Sequence, residues 1–207
     1  MMASDPSKLR YGVLVLAAGA SRRMGQPKQV LKLNGQPLIQ RAVESALASP
    51  GWPIAVVLGA HAETIRPLLA KYPVLIAENP AWAEGMASSI RAGLGLLQQF
   101  SRSLEGAVVA LCDQPAFSAT TIQTLVDAHL RTGCSIVAAR YKERNGAPAF
   151  FHRRHFAELM ALTGESGARE LLNLAGPHVT EVDMPDLAID LDTPADFAAQ
   201  SGSADRA

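Results

Sequence analysis

Short runs rich in β-branched residues alternate with amphipathic stretches along most of the 207-residue chain, and this alternation narrows the fold more than any other feature. The runs YGVLVL (11–16), IAVVLG (54–59), VLIA (74–77), GAVVALC (106–112) and CSIVAARY (134–141) predict strands. Helices are expected between them at 37–49, 61–71, 85–100 and 119–131. Strand, helix and strand in succession are the mark of βαβ units, so an α/β fold with a mostly parallel sheet follows. The run at 106–112 is apolar throughout, as a central strand covered on both faces would be. In the helix at 85–100, Met86, Ile90, Leu94 and Leu97 share one face and are expected to be buried, with Ser88 and Ser89 off that stripe.

Beyond Tyr141 the pattern loosens. KERNGAPAFF reads as a loop and a short strand, and helices are expected near 153–162 and 166–174. HVTEVDM reads as another strand, and TPADFAA as a closing helix with Pro194 in its first turn. Residues 1–9 and 201–207 are expected to be frayed tails.

Composition excludes several functions. Formal net charge is zero, so no general affinity for nucleic acid or a membrane surface is expected. Cys112 and Cys134 sit in apolar runs without the paired spacing of a zinc site, and both are expected to be buried thiols. No apolar run reaches the roughly 18 residues of a membrane span. The start MMASDPSKLR lacks the apolar stretch of a signal peptide, so a cytoplasmic location is expected.

Charge is nevertheless segregated along the chain. No acidic residue occurs from Arg10 to Arg41, while Arg10, Arg22, Arg23, Lys28, Lys32 and Arg41 are basic. The stretch LAAGASRRMGQPK (16–28) follows the first predicted strand, and ligands of open α/β sheets gather beyond the carboxyl ends of strands. Gly19 and Gly25 would let backbone NH groups approach phosphate oxygens, with Arg22, Arg23 and Lys28 supplying countercharge. The loop therefore reads as a triphosphate cradle; a basic surface turn with solvated arginines is the alternative. Five residues separate the two glycines, which does not fit a P-loop, and no G-x-G-x-x-G occurs to suggest a nicotinamide cofactor.

An acidic stretch closes the chain: Glu181, Asp183, Asp186, Asp190, Asp192 and Asp196 run without an intervening lysine or arginine. Asp113 directly follows the predicted strand 106–112, so Asp113, Asp190 and Asp192 can converge at one rim. Such convergence suits Mg²⁺, which takes one or two carboxylates together with substrate phosphates. The competing roles are a turn cap before Pro115 for Asp113, and a helix N-cap in the DTP sequence for Asp190 or Asp192.

The pattern LAAGxSxRMGxxK resembles the signature of nucleotidyltransferases that load molybdopterin with a nucleotide, a branch of the glycosyltransferase-A-like fold shared with sugar-nucleotide pyrophosphorylases. The resemblance continues through NPAWAEGMASSIRAGL (79–94), LCDQP (111–115), GAPAF (146–150), GESGAR (164–169) and IDLDTPADF (189–197). It implies a three-layer, Rossmann-like sheet with an antiparallel element in the second half, and a single domain over 1–207. About 10–115 would hold the nucleotide and 116–200 the acceptor. Similar guanylyltransferases carry glycine in place of Ala18, so LAAG points to the cytidylyltransferase branch.

Leu16, Ala17, Ala18, Gly19, Arg22, Gly25, Lys28, Gly85 and Ser89 are then the nucleotide-binding candidates. Ser89, in the first turns of its helix, would meet the pyrimidine edge; a plain surface serine is the alternative. Asn79, Trp82 and Gly85 would shape the loop leading in. The resemblance makes Asp113 and one later aspartate the Mg²⁺ ligands, with Asp190 preferred because Asp192 is better placed to cap. For the acceptor it implies Gly146, Pro148, Gly167 and Arg169, while His152 to His155 (HRRH) offer further anion hooks or simply a solvated helix start. The implied reaction is attack of a molybdopterin phosphate on the α-phosphorus of CTP, with Lys28, Arg22 and Asp113 as catalytic residues and the product passing to a molybdoenzyme or its maturation factor. A GTP-using or sugar-nucleotide-forming transferase, a redox enzyme and a non-catalytic nucleotide sensor are the rivals.

Overall fold

The computed structural model describes residues 9–164, 172 and 179–203. In chain order the elements are β1 (Tyr11–Ala17), β2 (Lys32–Leu33), β3 (Gln36–Pro37), α1 (Leu38–Leu47), β4 (Ile54–Leu58), α2 (Ala62–Leu69) and β5 (Leu75–Glu78). There follow α3 (Met86–Phe100), β6 (Gly106–Leu111), α4 (Ala119–Thr132), β7 (Ile136–Tyr141), β8 (Arg144–His152), α5 (Phe156–Ala161), β9 (Val179–Asp183) and α6 (Pro194–Ser203).

The large sheet has the order β5-β4-β1-β6-β8-β7-β9. Its pairs are parallel except where β8 runs against β6 and β7. The expected antiparallel element is therefore β8. From β1 the chain builds outward through β4 and β5, then returns to place β6 on the other side of β1. The reversal opens a crevice at the carboxyl ends of β1 and β6, where the chain's direction of build-out switches.

Alternation along each strand divides the core into two layers. Val13, Val15, Val56 and Val108 face α1, α2 and α4, whose Val43, Ile65 and Leu125 are buried against them. Leu14, Leu16, Val57 and Val109 face α3 and α5, meeting Ile90, Leu94, Leu97 and Leu159. The α4 helix starts where Ser118 Oγ accepts the amide hydrogen of Thr121, and basic side chains of its last turn suit the carbonyl end of the helix.

Three expectations change. Met86 is 39% exposed, because it stands at the very start of α3, where the helix faces the open carboxyl rim of the sheet. Ser88 and Ser89 are buried, since the loop after β5 folds over this turn and Asn79 Nδ2 donates to both hydroxyls (2.8 and 3.0 Å). Cys112 is buried as expected, whereas Cys134 is only partly covered, standing before β7 begins.

The second half is more regular than its sequence suggests. The short strand expected in KERNGAPAFF is the nine-residue β8, joined to β7 by the two-residue turn Lys142–Glu143. Register slips where Ala138 pairs with Ala149 but Ala139 with Gly146, so Ala147 and Pro148 bulge out of β8. The helix expected at 153–162 begins as a 3-10 turn at Arg153–His155 and continues as α5. The helix expected at 166–174 falls mostly outside the described residues. A small hairpin, β2–β3, is also present: Asn34 and Gly35 both have positive φ (54° and 79°), the form an Asn-Gly turn favours.

Candidate active site

The loop after β1 is held from beneath by Gln29, which is 1% exposed. Its amide donates to the carbonyls of Ala17 and Gly19 (2.9 Å each), and its oxygen accepts from Ser21 Oγ (3.3 Å). Ser21 in turn accepts the Lys28 amide hydrogen (3.1 Å), closing the loop on itself. His61 Nε2 lies 3.0 Å from the Ala20 carbonyl oxygen. Gln29 and His61 were not among the sequence candidates. A polar residue flanked by Lys28 and Val30 carries no periodic signal that it is buried.

A cleft of about 440 Å³ opens over this loop, bounded by Leu16 to Arg23, Lys28, Gln29, Trp82, Ala83, Gly85, Met86, Ser89 and Leu111 to Asp113. Of the nucleotide candidates, Leu16, Ala17, Ala18, Gly19, Arg22, Lys28, Gly85 and Ser89 line it, while Gly25 lies outside the lining. Gly85 has φ 112°, a conformation that side chains resist, where the chain turns into α3. Arg22 makes no hydrogen bond or ion pair with a described residue and so has its donors available, whereas Arg23 bonds Asp192 (2.7 Å).

Lys28 is the centre of the site. Its Nζ donates to Asp113 Oδ2 and, at 2.8 Å, to Asp192 Oδ1. Burial alone would lower the Lys28 pKa, but the Asp113 charge and the bonds to both aspartates outweigh it and raise it well above the lysine range. For Asp192, burial works upward, yet Lys28 and Arg23 together hold the carboxyl below its usual value. The Cys112 thiol is pushed up to about 12 by burial and then by the Asp113 charge, so it is an inert neighbour.

Asp192 is no helix cap. Thr193 and Asp196 fill that role, with the Asp196 amide donating to Thr193 Oγ1 (3.2 Å) and Asp196 Oδ2 accepting from the Thr193 amide (2.8 Å). Residues 184–191 run along the carboxyl rim of the sheet. Met184 N donates to Arg140 O (2.9 Å) and Leu191 N to Asp113 O (3.0 Å), which delivers Asp190 and Asp192 to Asp113. The pairing of Lys28 with Asp113 and Asp192 thus joins the basic front of the chain to its acidic end.

Asp113 Oδ1 and Asp190 Oδ1 are buried without a hydrogen-bond partner among the described residues. Burial, then the Asp113 charge, raises the Asp190 carboxyl pKa. Two close carboxylates with vacant inward oxygens fit a hard divalent cation that completes its shell with phosphate and water. Among the described residues no group of three or more His, Cys, Asp or Glu side chains is arranged to hold a metal ion, so Asp113, Asp190 and Asp192 do not form a three-carboxylate cage.

The acceptor candidates are placed differently. Gly146 and Pro148 are buried at the β8 bulge. A Cβ on Gly146 would come within 2.4 Å of the Tyr141 hydroxyl, so the glycine admits that ring. Neither residue lines the cleft. Gly167 and Arg169 lie outside the described residues. The HRRH run is excluded from the site: His152 pairs with Gly106, the first residue of β6, because β8 runs antiparallel and carries it to the opposite rim. There His155 is occupied by Ser135 Oγ (2.7 Å) and Glu158 (3.0 Å). Among the described residues, no helix is long and apolar enough to cross a membrane.

Residues 13–188 match the family described as MobA-like NTP transferase domain. Nicotine blue oxidoreductase of Paenarthrobacter nicotinovorans is 34% identical over 171 residues, covering 78% of this chain and 80% of its own. Purine catabolism protein PucB of Bacillus subtilis is 28% identical, covering 88% and 91%. The crystal structure of Rv0371c from Mycobacterium tuberculosis, a complex with manganese, superposes with a TM-score of 0.76 at 26% identity, over 94% of this chain and 99% of that one.

Proposed function

Since the chain belongs to the MobA-like NTP transferase family, we propose that it transfers CMP from CTP to molybdenum-bound molybdopterin and releases pyrophosphate. The observation that carries this reading is the junction of the glycine–arginine loop with Asp113 in one cleft through Lys28, which also bonds Asp192. The acceptor's phosphate monoester is already ionised near neutral pH, so it needs no general base. One of its oxygens forms the new bond to the α-phosphorus of CTP as the bond to the pyrophosphate oxygen breaks in line.

Arg22, Lys28 and the amides of the loop hold the triphosphate and stabilise the charge that gathers on pyrophosphate. Ser89, presented into the cleft by Asn79, meets the base, and residues 116–200, including Gly167 and Arg169, receive the acceptor. Asp113 and Asp190 would hold Mg²⁺, whose chemistry is to neutralise phosphate charge and polarise the phosphoryl group. The manganese complex of the mycobacterial relative supports a divalent ion. The preference for CTP rests on Ala18 where similar guanylyltransferases have glycine.

The test is pyrophosphate release with each of the four nucleoside triphosphates and Mg²⁺, with and without molybdopterin. Release that requires molybdopterin and CTP is the expected result. A preference for GTP would replace the nucleotide, and no release with any pair would overturn the reading. A redox reading takes support from the name of the Paenarthrobacter relative; reduction of a dye by a nicotinamide cofactor in the same preparation would favour it.

A further inference from the structure

The tip of the β7–β8 hairpin has no part in the cleft described above, yet three features set it apart. Lys142 and Glu143 both have positive φ (50° and 57°), a pair of conformations that two-residue turns usually assign to glycine, asparagine or aspartate. Lys142 and Arg144 are exposed and their side chains make no hydrogen bond or ion pair with a described residue, although the side chains of their neighbours Arg140 and Asn145 are both engaged by Glu181 (2.8 and 2.9 Å). Finally, β7 runs parallel to β9 and antiparallel to β8, which itself runs against β6, so the tip projects from the same rim as Asp113.

The tip is also fixed relative to Asp113. Gln114, 3% exposed, places Nε2 within 3.1 Å of the Tyr141 hydroxyl and the Ala147 carbonyl, on the two strands that carry the turn. The same nitrogen lies 3.3 Å from the Leu187 carbonyl, on the segment that delivers Asp190. Gln114 is thus a positioning residue that fastens both parts beside the aspartate preceding it. Two strand spacings, roughly 10 Å, separate β7 from β6.

We propose that Lys142 and Arg144 at this tip grip the phosphate monoester of the acceptor and hold it beside Asp113 and Asp190. An acceptor phosphate brought up to two carboxylates needs cations on its outer side. Arg22, Arg23 and Lys28 stand on the nucleotide side, and Lys142 and Arg144 flank the other. The unfavourable turn keeps a lysine where asparagine or glycine would fold more easily. The identity of the ligand rests on the nucleotidyl-transfer reading above; the anion site itself does not.

The experiment compares the wild-type protein with Lys142→Asn and Arg144→Gln. Asparagine accepts the positive φ, so Lys142→Asn should keep or raise Tm while deleting the charge. With CTP, Mg²⁺ and molybdopterin, each variant should raise the acceptor KM roughly tenfold, the factor of one charge-assisted hydrogen bond, and leave the CTP KM within twofold. An unchanged acceptor KM in both variants, with the wild type active, overturns the hairpin site and leaves the transfer reading intact. Should the wild type fail to transfer any nucleotide, that reading falls, and binding of inorganic phosphate followed by ³¹P NMR decides the site. Weaker phosphate binding in the variants sustains it, and equal binding overturns it.

Discussion

Replacing Lys28 with methionine keeps the bulk of the side chain and removes its charge. The ammonium group holds Asp113 and Asp192, whose side chains are 12% and 31% exposed, and is itself 14% exposed. Stranding a buried carboxylate costs about 3–5 kcal/mol; with Asp192 still reached by Arg23 and water, the low end, about 3 kcal/mol, applies here. In a chain of this size each kcal/mol moves Tm by about 2–4 °C, so a fall of roughly 6–12 °C is expected. The double variant Lys28→Met with Asp113→Asn leaves less charge stranded and should recover part of that loss, a non-additivity that thermal or urea unfolding measures directly. Activity should fall tenfold to a hundredfold or more, since a charge-assisted bond in the transition state is worth roughly 1.5–3 kcal/mol. A Lys28→Met protein as stable as the wild type, or a double variant whose losses simply add, would refute the claim that Lys28 neutralises this cluster.

Asp192→Asn should flatten the acid limb of the stability curve. The folded-state pKa of Asp192 is depressed, so its contribution is present above the ordinary carboxylate value and is lost as pH falls through the lower one. Between about pH 5 and 2 the wild type should lose more stability than the variant, followed by Tm against pH. Asp190→Asn should raise Tm in divalent-free buffer, because it removes a charge disfavoured by burial and by Asp113, and should abolish the Tm gain that Mg²⁺ or Mn²⁺ gives the wild type; an equal gain in both proteins would exclude Asp190 as a ligand. Gly59→Ala should cost about 1–3 kcal/mol in urea unfolding and raise the nucleotide KM, because a methyl group there would lie 2.6 Å from the Ala18 carbonyl oxygen and 2.7 Å from Trp82 Cβ.

Much of this was legible in the sequence where burial is two-sided. The continuous apolar runs of β1 and β6 announced central strands, and the rule that ligands gather beyond strand ends put residues 16–28 and Asp113 at one rim. β8 was harder to read, because its first half, Arg144–Pro148, mixes polar residues, glycine and a proline, and only its pairing with β6 and β7 makes it a strand. Ser88 and Ser89 looked solvent-facing because the partner that buries them, Asn79, belongs to another element. Thr193 followed three residues later by Asp196 is itself a capping pattern, and it leaves Asp192 free for Lys28. Gln29 could not have been found, since hydrogen bonding to a loop carbonyl leaves no trace in hydropathy.

The ion pairs at Lys28 join residues 85 and 164 positions apart. During synthesis, a nascent chain that has emerged only through α5 presents the strands β1 to β8 and one of the two carboxylates, while Asp192 has yet to leave the ribosome. The basic loop therefore remains partly uncompensated until the segment beyond β9 has left the ribosome. The contact between Lys28 and Asp192 is therefore among the last that the growing chain can make.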